Sequence, residues 1–171
     1  MTSTRPGECG FEAVFQLLIR CSHELPKVCK HLRRKIQGGA SFKCREAAAK
    51  ALEAAASTRQ PENVNVAVDA LRKLAAERLI ELGGSESDRL DAMTPGKAVS
   101  PCVLSALFEA LHLPGLIVIT TDGQVEKVRL IGAHRGQRRM KCIELRDASS
   151  SQTGHYTAFV QSEQSYLREL A

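Results

Sequence analysis

The sequence predicts an α+β fold, with a helical N-terminal part of about two-thirds of the chain packed on a small, mainly antiparallel C-terminal sheet. Apolar residues recur at helical spacing from Phe11 to Leu111, a β-branched run begins after Pro114-Gly115, and the turn pair Asp122-Gly123 follows it. The 171 residues suit a single domain that can bury a core without disulfides or metal, and 43% apolar with 25% charged residues is a globular composition. Few aromatics, no Trp and abundant Ala and Leu favour helices.

Each element has its own signal. Phe11, Val14, Phe15 and Leu18 follow the spacing of an amphipathic helix, so Cys9 stands at or just before a helix N-terminus, led in by Arg5-Pro6-Gly7-Glu8. Pro26 suits the first position of a second helix through about Ile36, ended by Gly38-Gly39. A third helix is expected from about Cys44 to Ala56. Val64, Val68, Leu71, Ala75, Leu79 and Leu82 define the longest helix, from Pro61 to a stop at Gly83-Gly84. The segment from Ser85 to Ala98 lacks periodicity and reads as a surface loop, before Ser100-Pro101 opens a helix with Val103, Leu104, Leu107, Phe108 and Leu111 on its core face. Strands are expected at Leu116 to Thr121, about Val125 to Ile131, Lys141 to Leu145 and His155 to Val160.

Several function classes are excluded. There is no apolar run of membrane-spanning length, and Arg5, Glu8, Glu12 and Arg20 break up any signal peptide, so neither a membrane partner nor secretion is expected. The six cysteines are irregularly spaced and read as reduced thiols of a cytoplasmic protein. The net charge of +5 gathers in Lys27, Lys30, Arg33, Arg34 and Lys35 and in Arg135, Arg138, Arg139 and Lys141. These read as solvated faces, and nucleic acid is not the expected partner. The doubled C-x-H of Cys21, His23, Cys29 and His31 has no recognised zinc spacing, so no metal or cofactor is expected. Cys44, Cys102 and Cys142 read as core residues, and His112 and His134 flank loops.

Two residues point to chemistry. A cysteine at a helix N-terminus meets a positive dipole end and unsatisfied backbone N–H groups, both of which favour its thiolate, and Cys9 has that placement. Gly7 and Gly10 leave room for a substrate carbonyl, with oxyanion donors drawn from the amides after Pro6. His155 opens an apolar strand after a serine-rich loop, where it can take the thiol proton and return it to a leaving amine.

Gly7-Glu8-Cys9-Gly10-Phe11-Glu12-Ala13-Val14 resembles the G-[DN]-C-x-[FY]-x-[AS] nucleophile motif of ovarian-tumour (OTU) cysteine proteases, and His155-Tyr156 resembles their histidine with its following aromatic. The resemblance implies a papain-like, OTU-like fold forming one cysteine protease domain over residues 1–171. It also implies a thiol-dependent deubiquitinase cutting isopeptide or peptide bonds after the C-terminal glycine of ubiquitin or a related modifier. Ubiquitin's extended, basic tail would then meet acidic groups near Cys9, for which Glu8 and Glu12 are positioned. Family members carry an Asp three residues before the nucleophile and an Asn or Asp two after the histidine; this chain has Pro6 and Thr157. A Cys9/His155 dyad is therefore expected, with Thr157 or Asp147 as at most a weak orienter. Some viral members use such a dyad, which would place the protein in the host cytoplasm. The alternatives are a viral papain-like protease processing its own polyprotein and a catalytically inert basic module binding nucleic acid or an acidic partner. The close start before Cys9 and the plain C-terminal end suggest an excised domain.

Overall fold

A computed structural model of the chain describes residues 8–20, 24–34, 42–58 and 60–113 and, as backbone strands, 115–121, 124–131, 140–146 and 155–161. In α1 (Cys9–Arg20) the four apolar residues spaced along one face, Phe11, Val14, Phe15 and Leu18, are all buried. Its first turn is closed by the Glu12 amide, which donates to the Glu8 carbonyl at 2.9 Å. The second helix, α2 (Glu24–Leu32), begins before Pro26 and ends short of the expected Ile36. Its end is set by tertiary contact, because Nη1 of the buried Arg45 donates to the carbonyls of Leu32 at 3.3 Å and Arg34 at 2.6 Å. Arg45 belongs to α3 (Phe42–Thr58), whose buried Ala48, Ala49, Leu52 and Ala55 let neighbouring helices approach closely.

The longest helix among the described residues is α4 (Pro61–Glu81), with Pro61 in its first turn, where the missing N–H costs nothing. It ends in a left-handed cap: Gly83 has φ +68°, and the Gly84 amide donates to the Leu79 carbonyl at 2.8 Å. A β-carbon on Gly84 would come within 2.9 Å of Leu79 Cδ2 and 3.2 Å of the Leu79 carbonyl oxygen, so Leu79 would have to shift, while Gly83 takes the left-handed conformation that favours glycine.

The expected loop between Ser85 and Ala98 contains a helix, α5 (Glu86–Met93). Ser85 caps it, its hydroxyl accepting from the Asp88 amide at 3.1 Å. Hydrophobic periodicity gave no sign of this helix because it buries only Ala92 and leaves Leu90 and Met93 exposed. Next comes α6 (Pro101–Ala110), preceded by Ser100. The Ser100 hydroxyl does not cap α6; it donates to Asp88 Oδ1 at 2.9 Å and ties the starts of α5 and α6 together.

The expected α+β class, a helical N-terminal part packed on a small mainly antiparallel C-terminal sheet, is corrected for residues 8–20, 24–34, 42–58 and 60–113. The buried apolar side chains of residues 8–20, 24–34, 42–58 and 60–113 run from Phe11 to Leu113, and these residues form helices and their connections, with no strand and no sheet among them. Helix α4 is the reason. Val64, Ala67, Val68, Leu71, Leu74, Ala75, Ala76 and Leu79 bury too broad a stripe for one neighbour, so α1, α3, α5 and α6 pack around it, with α2 against α3. This body closes helix on helix.

Beyond it the backbone follows β1 (Gly115–Thr121), β2 (Gln124–Ile131), β3 (Met140–Arg146) and β4 (His155–Gln161), in the order β2-β1-β3-β4. The outer pairs are antiparallel, but the central β1 and β3 run parallel, because β2 lies on the far side of β1. A register shift between Ile119 and Thr120 bulges the β1–β2 ladder. The expected turn pair Asp122-Gly123 lies outside the described residues. What positions the candidate site is that α1 lies against α4 and also beside β4.

Candidate active site

Cys9 is the first residue of α1, half-buried at the edge of the helical core, with a free thiol. Glu8, immediately before it, is 1% exposed, so the expectation that this carboxylate meets a substrate's basic tail is corrected: its charge faces inward. Nε of Arg72 donates to Glu8 Oε2 at 2.8 Å, and the Gly96 amide donates to Oε1 at 2.8 Å. Arg72 is itself 2% exposed. Its Nη1 donates to the carbonyls of Asp91 at 2.9 Å and Ala92 at 3.3 Å, its Nη2 to that of Lys97 at 2.6 Å, and its guanidinium lies 4.5 Å from the centre of the Phe11 ring. A charged pair tolerates burial when hydrogen bonds match its donors and acceptors, and this pair has them. One cluster thus joins the residue before Cys9, the middle of α4 and the connection from α5 to α6. Sequence reasoning missed Arg72, although a signal was present: it stands one turn from Val68 and from Ala76, within the buried stripe of α4.

The other described cysteines differ. Burial, then the charge of Glu53, pushes the Cys29 thiol up to about 11, and Cys29 Sγ donates to the Ala49 carbonyl at 3.8 Å. Burial, then the charge of Glu77, pushes the Cys44 thiol likewise up to about 11. Neither forms thiolate readily near neutrality. Cys102, expected in the core, is exposed in the first turn of α6, because Val103, Leu104 and Leu107 take that helix's inner face.

His155 opens β4, in register with Arg146 of β3, and Thr157 pairs with Glu144. Cys9 and His155 therefore sit on adjacent elements, α1 and β4. Pro6, Gly7 and Asp147 lie outside the described residues, as do Cys21 and His23. Of the remaining C-x-H pair, Cys29 is buried and the His31 ring stacks on His112 at 4.6 Å. Among the described residues no three His, Cys, Asp or Glu side chains gather as a metal site, and no helix is long and apolar enough to cross a membrane.

The sequence matches no protein-family profile and no curated protein. Its fold is similar to that of solved structures. One is h/ceOTUB1 with ubiquitin aldehyde and UBCH5B~Ub, with a TM-score of 0.59 and 11% identity over 92% of this chain and 73% of that one. Another is h/ceOTUB1 with ubiquitin aldehyde and UBC13~Ub, with a TM-score of 0.59 and 12% identity over 91% of this chain and 74% of that one. At this identity the likeness is one of fold, and it extends over nearly the whole chain.

Proposed function

We propose that this chain is a single-domain cytoplasmic cysteine hydrolase that removes ubiquitin or a related modifier, with Cys9 as nucleophile and His155 as general base. The observation that carries the reading is the position of Cys9 at the N-terminus of a helix that runs beside the strand begun by His155, in a fold shared with OTUB1 structures. In the proposed reaction His155 takes the thiol proton and the thiolate adds to the carbonyl of the modifier's C-terminal glycine. Collapse of the tetrahedral adduct expels the amine, protonated by His155, and leaves a thioester. Water, deprotonated by His155, then hydrolyses the thioester and regenerates the thiol.

A ubiquitin-derived electrophilic probe tests this. Wild-type protein is expected to form a covalent adduct at Cys9, and Cys9→Ala to form none while keeping its helical circular dichroism. An adduct on Cys102, or none on the wild type, overturns the assignment. The dyad is tested by turnover: His155→Ala is expected to cost several orders of magnitude, whereas Thr157→Ala, Asp147→Ala and Glu144→Gln each cost about tenfold or less.

A further inference from the structure

The reaction as proposed makes no use of the cations on α2 and α3. In the sequence they read as a solvated face, because spacing does not say which of them an acid neutralises. Packing does. Arg33 is held by Glu53. Among the described residues no ion pair holds Lys27, Lys30, Arg34, Lys43 or Lys50, and all five are exposed. Lys27 and Lys30 stand one turn apart on α2, opposite its buried Val28, Cys29 and Leu32, and Arg34 continues their line just past its end. Helix α3 lies alongside, with Cys29 Sγ donating to the Ala49 carbonyl and Arg33 reaching Glu53, so Lys43 and Lys50 border that line. The acids of the two helices are Glu24 and Glu46, besides the paired Glu53.

Helix stability does not call for this arrangement. Lys43 stands in the first turn of α3, where a cation opposes the helix dipole and no acidic residue offsets it. Phe42, beside it, is 37% exposed. Arg45 places that ring at the Arg34 end of the line, since its guanidinium lies 5.8 Å from the ring centre and its Nη1 donates to the Arg34 carbonyl. We propose that this α2–α3 surface binds single-stranded nucleic acid, with the unpaired cations against successive phosphates and a base stacked on Phe42. Phosphates at short regular intervals suit cations one helical turn apart, and an unpaired base has a free face for an aromatic ring. A duplex keeps its bases stacked on each other and offers Phe42 none. A lipid surface takes an apolar band, whereas among the described residues Phe42 is the one large exposed apolar side chain on these two helices.

Fluorescence anisotropy with labelled single-stranded DNA and RNA of about twelve nucleotides tests this on the whole chain. Wild-type protein is expected to bind at low salt, its association constant falling with salt at a logarithmic slope of about −2 to −3.5, as for three to five neutralised phosphates. Lys27→Gln/Lys30→Gln is expected to weaken binding about tenfold or more and to flatten that slope by about 1.4. Lys97→Glu, on the α5–α6 connection, changes the net charge by the same amount and is expected to weaken binding about twofold or less. Phe42→Leu is expected to lose about fivefold or more, the effect of one stacked base, with the salt slope kept. Circular dichroism checks that each variant remains helical. Binding of either sugar supports the proposal, and the tighter one identifies the nucleic acid. The proposal is overturned by absence of binding to both, by equal losses in Lys27→Gln/Lys30→Gln and Lys97→Glu, or by wild-type binding in Phe42→Leu. Equal competition by polyglutamate or by phosphatidylserine vesicles, at the same charge concentration, overturns it as well. No modifier enters the measurement, so failure of the hydrolase assignment leaves its result unaffected.

Discussion

Among the described residues, the Arg–Glu pairs that join one helical segment to another include two that do different things. Arg72 and Glu8 join α4 to the start of α1 at 2.8 Å, with side chains 3% and 0% exposed. Arg33, just past α2, grips Glu53 of α3 through both terminal nitrogens, with side chains 40% and 47% exposed. The chemical groups are the same and the surroundings differ. In the exposed pair water competes for every donor and acceptor, and salt screens what remains. The hydrogen bond from Arg33 holds the Glu53 carboxyl below its usual range, but at such exposure that contributes little to stability. In the buried pair little water can replace a lost partner, so each group depends on the protein's own donors and acceptors. The comparison teaches that the worth of an ion pair here follows from what surrounds it, and that the buried pair sits where the chemistry is proposed.

The largest expected effect comes from breaking that buried pair. Arg72→Ala takes from the buried Glu8 carboxylate its cationic partner and from the carbonyls of Asp91, Ala92 and Lys97 a donor, and should destabilise the fold by about 3–5 kcal/mol, read from urea unfolding. A loss no greater than that of Arg33→Ala would erase the distinction between the two pairs.

Arg45 sharpens the comparison from another side, as a buried arginine that serves carbonyls at the end of α2. Arg45→Ala should cost about 1–3 kcal/mol, less than Arg72→Ala, because among the described residues the buried carboxylate is Glu8, which pairs with Arg72. The measurement is again the urea midpoint.

The contact of His31 in α2 with His112, just past α6, should respond to pH. Burial first, then the charges of His112, Arg34 and Arg45, lower His31 below its ordinary 6.5, with a hydrogen bond from the ring to the Ala110 backbone opposing them. The folded state therefore favours neutral His31, and the unfolded chain binds the proton more readily. The stability this contributes is present above pH 6.5 and is lost as pH falls through the lowered folded value. Unfolding midpoints at pH 7.5, 6.0 and 5.0 should fall for the wild type and fall less steeply for His31→Gln. Parallel curves would remove His31 from the account.

The smallest effect is expected at the exposed pair. Arg33→Ala and Glu53→Gln should each leave the urea midpoint close to that of the wild type, and 0.5 M salt should reduce any difference further. A large loss at either position would mean that exposure is a poor guide to the worth of ion pairs in this protein.

The sequence by itself determined the courses of α1, α4 and α6, because each repeats apolar residues along one helical face and is punctuated locally, by Pro61 and Pro101 at starts and by Gly83-Gly84 at a stop. The two candidate residues are likewise read from local patterns, a cysteine beginning a helix and a histidine beginning a strand. The tertiary structure alone decided the rest. Helix α5 buries one apolar residue, so its short sequence carried almost no periodicity. Cys102 was expected inside and faces out, since which face of α6 turns inward depends on where α4 lies. How the helices of the described residues between 8 and 113 pack depends on how many neighbours α4 needs, which pairwise spacing within one helix does not state. Glu8 changed most, from a surface acid to half of a buried pair whose partner lies 64 residues away. No window of ten or twenty residues contains both charges, so the pair exists only once α1 and α4 have packed and excluded the water that would otherwise separate them.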